Sequence, residues 1–228
     1  MNLEAFLLSV WLALCVSAIL FVVGTPMAYW LARSQWRWKF LVEALVALPL
    51  VLPPTVLGFY MLLAMGPRGP LGKFWHVAFR HGLAFTFAGL VIASVFYSLP
   101  FAVQPLVASF ETVDQKLLDA SAVLGASRMR TFRRVILPLS IPGIITSLVL
   151  SFAHTLGEFG VVLMVGGNLA GVTRTVSIDI YDRVQSLDYA GASQTALVLL
   201  LISFTVLAAV YGINRRVMRR TWLPWSTE

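Results

Sequence analysis

Five long apolar runs separated by polar stretches set the plan of the chain: residues 7–31, 41–65, 83–110, 139–165 and 193–213. About 20 helical residues cross a hydrocarbon core of about 30 Å, so each run is long enough to span a bilayer. The expected fold is an all-α integral membrane protein, one domain over residues 1–228 with five transmembrane helices. Residues 111–138 form a polar insertion between the third and fourth runs. There Asp114 is placed to cap a helix beginning at Gln115, which should end near Gly125. Ser127 is placed to cap a second helix, with Met129, Phe132, Val135 and Ile136 on one face, and Pro138 should end it. Residues 66–82 read as a loop. Residues 166–191 carry an amphipathic pattern, Val176, Ile180, Val184 and Leu187, that predicts a surface helix. Asn168, Thr173, Arg174 and Thr175 beside it are candidates to meet a partner. The last run has no charged residue and reads as a packing helix.

Composition agrees with this plan. Hydrophobic residues make up 59% of the chain and charged residues only 12%, which excludes an ordinary soluble domain. The net charge of +7 does not point to nucleic acid, because the basic residues follow the spans. With the N-terminus outside, twelve of the 17 Lys and Arg residues fall on the inner side and five on the outer. That asymmetry predicts an outer N-terminus and an inner C-terminus, with Arg215, Arg216, Arg219 and Arg220 as an inner anchor. Trp30, Trp36, Trp38 and Trp222 flank spans as interfacial residues do. The first run follows Glu4 rather than a basic start, so it is expected to be a retained span and not a signal peptide. Cys15 lies in that run and has no second cysteine to pair with.

Two spans are interrupted. The second reads LPLVLPPTVLGF, with Pro49, Pro53 and Pro54 followed by Thr55 and Gly58. Prolines remove backbone donors and open carbonyls. Such backbone persists at membrane depth only where protein or water surrounds it. Pro53, Pro54, Thr55 and Gly58 are therefore candidate pore residues. The fourth span reads HTLGEFGVVLMVGGN. Glu158 is the one acid deep in a span, and Gly157 and Gly160 beside it predict a broken helix. An intramembrane carboxylate faces a cavity or a partner; a brace for a gate is expected, since a ligand carboxylate would repel an anion. His154, one turn earlier, reads as a packing histidine.

The polar insertion carries the strongest motif. Residues 119–138 read DASAVLGASRMRTFRRVILP. Ser121, Ala122, Gly125 and Ala126 fall on one side of a helix, a face without bulk. The stretch resembles the loop by which ABC-importer permeases grip their ATPase subunit: Glu-Ala-Ala, three residues, Gly, nine residues, then Ile, any residue and Leu-Pro. Asp119, Ala120, Ser121, Gly125, Val135, Leu137 and Pro138 occupy those positions, with Asp for Glu at 119, Ser for Ala at 121 and Val for Ile at 135. LPLVLPPTVLGFYMLL with GPRGPLG, and HTLGEFGVVLMVGGN with GVTRT, are similar to the molybdate permease subunits of bacterial ABC importers; sulfate and tungstate permeases are the alternatives.

The resemblance implies a type I importer permease in the bacterial inner membrane. It implies a homodimer in membrane lipid, two cytoplasmic ATP-binding subunits on the docking loops and a periplasmic oxyanion-binding protein. It also implies that ATP and magnesium bind the partner ATPase, that this chain holds no cofactor or metal, and that it is a transport subunit and not itself an enzyme. Some members of such a family carry a sixth, N-terminal span, and none is expected in this chain, whose first apolar run begins at residue 7. GPRGPLGKF is not a phosphate-binding loop: Gly66 and Gly72 are five residues apart instead of four, and Phe74 follows Lys73. A catalytic protein would need a second group beside Glu158 and His154, and a mere anchor would not need broken spans.

Overall fold

The computed structural model describes residues 2–221, with side chains as far as Gly212. Helix α1 (Leu3–Arg33) starts at Asn2, whose side chain accepts from the N–H groups of Glu4 and Ala5. Its buried stripe, Leu12, Val16, Leu20, Gly24, Ala28 and Leu31, steps by about one turn and lies against α5 (Phe87–Glu111). The two helices run in parallel. At one end Arg33 Nη2 donates to the carbonyls of Phe110 and Val113 at 2.8 and 3.2 Å. At the other end the Ser9 hydroxyl accepts from the N–H of Val176 at 2.8 Å. Two opposite faces follow: an Arg33 face and a Ser9 face.

The remaining helices pass between these faces. Helix α2 (Lys39–Val51) begins on the Arg33 face, where Lys39 reaches the Leu31 carbonyl at 3.3 Å and Glu43 at 3.5 Å. Helix α3 (Pro54–Met65) ends on the Ser9 face, with Met65 packed among Leu83 and Val165. The two meet at a 112° bend. A connector, α4 (Pro70–Phe79), leads to α5. Beyond α5, α6 (Gln115–Val123) lies on the Arg33 face. Helix α7 (Arg128–Thr131), a π turn (Phe132–Ile136) and α8 (Leu137–Leu139) run on as one rod, which meets α9 (Ile141–Leu156) at 73°. Helix α10 (Gly160–Gly166) completes that crossing, and the Phe85 N–H donates to Val165 O at 3.0 Å. Helix α11 (Val176–Gln185) caps the Ser9 face, and α12 (Tyr189–Thr221) leaves it. Among the described residues, three helices are long and apolar enough to cross a membrane, and each bent pair counted as one span makes five.

Four expectations change. Residues 70–79 are a helix and not loop. Pro138 does not end its helix: it follows the π turn at Phe132–Ile136, and the rod runs on to Leu139. The break falls at buried Ser140, and Pro142 sits in the first turn of α9, where its missing N–H costs no intrahelical bond. On α11 the deepest positions are Val176, Ile178 and Asp179, while Val184 and Leu187 are exposed. Helix α12 is peripheral rather than a packing helix, with 11% of its most apolar window buried against 44% for α5. The side chains of Arg215, Arg216, Arg219 and Arg220, and Trp222 itself, lie outside the described residues.

Candidate functional site

The two interrupted spans meet each other. Between α2 and α3, Leu52 and Pro53 are extended, and Pro54 opens α3. Between α9 and α10, Gly157 closes one helix, and Glu158 and Phe159 lead to Gly160 at the start of the next. A Cβ on Gly160 would stand 2.7 Å from the Pro54 Cβ. One on Gly58 would stand 2.8 Å from the Met164 Cβ and 3.1 Å from the Val161 Cα. Helices α3 and α10 thus approach backbone to backbone, as only glycine permits here. Gly157 has no such role, since its Cβ would meet nothing closer than 3.7 Å.

Beside this contact is a cavity of about 600 Å³ lined by Pro54, Thr55, Tyr97, His154, Glu158 and Gly160 among others. Gly58 lies beneath it, and Pro53 is one residue from its wall. Glu158 is 4% exposed, yet neither carboxylate oxygen makes a hydrogen bond of good geometry among the described residues. The buried Ser94 hydroxyl of α5 is the side chain that interacts with this carboxylate. Glu158 is thus part of the cavity wall while both of its carboxylate oxygens are buried. His154 does pack, with Nδ1 2.9 Å from Ser98 Oγ and its ring stacked on Phe101 at 3.9 Å. Ser94, Tyr97 and Ser98 of α5 belong to this site and were not singled out from sequence. Their signal was hydroxyls at i, i+3 and i+4.

On the Ser9 face the loop after α10 is knitted internally. Asn168 donates to Asp182 at 2.5 Å and accepts from Arg174 at 2.6 Å. Thr173 and Thr175 are buried, so they do not form the partner surface expected of them. Arg183 bonds Asp179 at 3.0 Å and Asp188 at 2.9 Å. The hydrogen bond that Arg183 donates to the Asp179 carboxylate raises the Arg183 pKa. The Gly191 N–H first, and Arg183 after it, hold Asp188 below the usual carboxylate range.

On the Arg33 face, Asp114 caps α6 through the Lys116 N–H at 2.9 Å, and Ser127 caps α7 through the Arg130 N–H at 3.3 Å. Gly125 has φ +73°. Its N–H bonds Ala122 O at 2.9 Å and the Ala126 N–H bonds Ser121 O at 3.1 Å, the paired closure that a left-handed residue makes at a helix end. Ser121 is buried, its hydroxyl 2.7 Å from that of Thr131. Ala122 and Ala126 line a cavity of about 730 Å³ shared with Tyr29, Trp30 and Arg33. The small face thus looks partly inward, toward α1 and α7. Outward stand Val123 at 88% and Leu124 at 85% exposure, with Gly125 beside them. Asp119 and Ala120 are exposed, and Asp119 accepts from Gln115 within its own helix at 2.9 Å. Val135 and Leu137 are half-buried, and Pro138 is exposed.

Residues 24–219 match the model of the family described as binding-protein-dependent transport system inner membrane component. The chain belongs to this family. The permease is 52% identical to the molybdenum transport system permease protein ModB of Azotobacter vinelandii, over 94% of its own length and 95% of the relative's. ModB of Escherichia coli K12 is 38% identical over 78% of this chain and 80% of its own. The sulfate transport system permease protein CysT of Salmonella typhimurium is 35% identical over 87% and 72%. Its fold is that of type I ABC importer permeases. It superposes on a bacterial alginate ABC transporter with a TM-score of 0.72 at 17% identity, covering 94% of this chain and 80% of that one. It superposes on the inward-facing MetNI methionine transporter with 0.69 at 18%, covering 94% and 95%.

Proposed function

We propose that this permease carries molybdate across the bacterial inner membrane. It works as a homodimer, driven by two cytoplasmic ATP-binding subunits and supplied by a periplasmic oxyanion-binding protein. The relative named for molybdenum transport, 52% identical over nearly the whole chain, carries the substrate reading. The ATPase subunits dock on the loop around Asp119–Ala126 and hold the ATP and magnesium, so this chain supplies no cofactor. The Arg33 face is cytoplasmic and the Ser9 face periplasmic, since the arginines of residues 128–134 crowd the former.

The geometry supports a lever. The docking loop continues through α7, the π turn and α8 into α9. The far end of α9 is the break at Glu158. A rod of 16 residues, about 24 Å, joins the docking surface to the cavity where α3 and α10 touch. Motion of the docked subunit is thereby delivered to Glu158, Pro54 and Thr55. The deciding experiment reconstitutes the permease with its ATPase and binding protein. Molybdate should stimulate ATP hydrolysis and enter the vesicles. Stimulation by sulfate with none by molybdate would overturn the substrate reading, and tungstate competition tests discrimination by size.

Topology is checked with single cysteines in a Cys15→Ala background. A cysteine at Pro67 should react with an impermeant thiol reagent added outside intact cells, and one at the 65%-exposed Met129 should not. The reverse pattern overturns the orientation.

Glu158→Gln should assemble normally and melt no lower than the parent, because no hydrogen bond is lost and an unpaired buried carboxylate is costly. Uptake per ATP hydrolysed should change more than apparent affinity for molybdate. A clear fall in melting temperature would show that the carboxylate does hold a structural partner.

A further inference from the structure

Helix α4 carries an outward apolar strip. Along it Leu71, Phe74 and Val77 lie at i, i+3 and i+6, and they are 37%, 73% and 85% exposed. The opposite side is anchored. Trp75 packs with the cluster around Met65 and stacks on Phe79 at 4.2 Å. A Cβ on Gly72 would collide with the backbone carbonyls of Gly66 and Met65, and one on Gly69 with those of Leu63 and Ala64. The helix is thus held hard against the end of α3 with an apolar strip turned outward. Its length of 10 residues, about 15 Å, cannot span a bilayer. It leaves the end of one crossing and returns to the start of the next, so it lies at the depth of the lipid headgroups on the Ser9 face.

The charge around the strip is one-sided. Residues 66–86 contain Arg68, Lys73, Arg80, His76 and His81 and no acid. Arg68, Lys73 and Arg80 are exposed and form no ion pair among the described residues. Lys73 borders the apolar strip, where an aliphatic stem can lie along it and its ammonium reach a phosphate. An amphipathic helix with cations at its edge lies in the plane of an anionic lipid surface. A strip of three side chains is also far smaller than the area a stable protein partner covers.

We infer that α4 is an interfacial helix that seats Leu71, Phe74 and Val77 among the acyl chains of the outer leaflet and binds the phosphates of anionic lipid through Lys73 and Arg80. Because α4 is clamped to α3, whose other end touches Gly160, this seat fixes the height of the Pro54 contact relative to the membrane. The inference takes the Ser9 face as the outer one, but the lipid contact itself does not depend on which anion is carried.

The test uses the full permease–ATPase complex in nanodiscs. An environment-sensitive fluorophore is placed at Val77→Cys in the Cys15→Ala background. Nanodiscs hold phosphatidylcholine with a minor fraction of phosphatidylglycerol, and either lipid is supplied in spin-labelled form. The fluorophore should be quenched by both, with phosphatidylglycerol enriched several-fold. Lys73→Glu with Arg80→Glu should abolish that enrichment, while quenching by phosphatidylcholine remains. A fluorophore in water, unquenched by either lipid, would overturn the inference. So would one shielded only when the soluble binding protein is added, which would make the strip a protein-docking surface. Neither outcome touches the molybdate reading, which is decided by uptake.

Discussion

Gly125→Leu is expected to insert and dimerise normally, to lose the ATPase subunit during purification and to lose uptake. The position is open, with nothing within 4 Å of where a Cβ would stand, so crowding inside the permease is not the cause. Two other effects are. The residue has φ +73°, where a side chain costs about 1 kcal/mol. Relaxing that strain dissolves the closure made by the Gly125 and Ala126 N–H groups and moves Val123 and Leu124, the most outward side chains of the loop. A leucine that stays in place instead projects from the proposed docking surface. The spans are untouched, because this end of α6 is joined to them through Ser121 and Thr131 and not through Gly125. Asp119→Ala should show a milder loss, as its one hydrogen bond lies within its own helix. Co-purification of the ATPase alongside uptake of labelled molybdate is the measurement. Full retention of both by Gly125→Leu would remove the docking loop from the mechanism.

Gly160→Val should cut uptake by more than tenfold while the protein still assembles. A Cβ there stands 2.7 Å from the Pro54 Cβ and 3.6 Å from the Thr55 nitrogen. Proline at a helix start has no flexible end to swing aside, so α3 must move away from α10. Overpacking of this kind costs about 1–3 kcal/mol, which a membrane bundle survives. The functional loss is larger because the contact forms the wall of the cavity. Gly58→Val should act alike, against Met164 and the Val161 backbone. Gly157→Ala is the control: its nearest neighbour would be 3.7 Å away at an ordinary negative φ, and uptake should stay within twofold. Equal loss in Gly157→Ala and Gly160→Val would mean that glycine flexibility, not close packing, governs the gate.

Both caps of the docking loop, Asp114 and Ser127, were legible in the sequence, as was the end of α6 near Gly125. Capping is local: the side chain and the N–H it satisfies are two or three residues apart. The breaks at Pro53–Pro54 and at Gly157–Gly160 were legible for the same reason, since proline and glycine act on their own backbone. The resemblance that implied the family was carried by Asp119, Gly125, Leu137 and Pro138, and the match over residues 24–219 bears it out. Helix α4 was missed because GPRGPLG carries turn residues throughout. Only in the fold do Gly69 and Gly72 serve to press a helix against the end of α3.

The sequence by itself determined the number and length of the apolar runs, the charge asymmetry, the caps and the positions where helices break. Each depends on one residue or its near neighbours. Tertiary structure alone decided that the two breaks meet. Pro54 and Gly160 are more than one hundred residues apart, and nothing local specifies their contact. It also decided that Glu158 is buried beside Ser94, that Ser121 turns inward to Thr131, and that Thr173 and Thr175 are internal. In each case burial and partnership depend on which helix lies opposite. That is set by the packing of α1, α5 and α9 as a whole, and no single helix carries it in its own pattern.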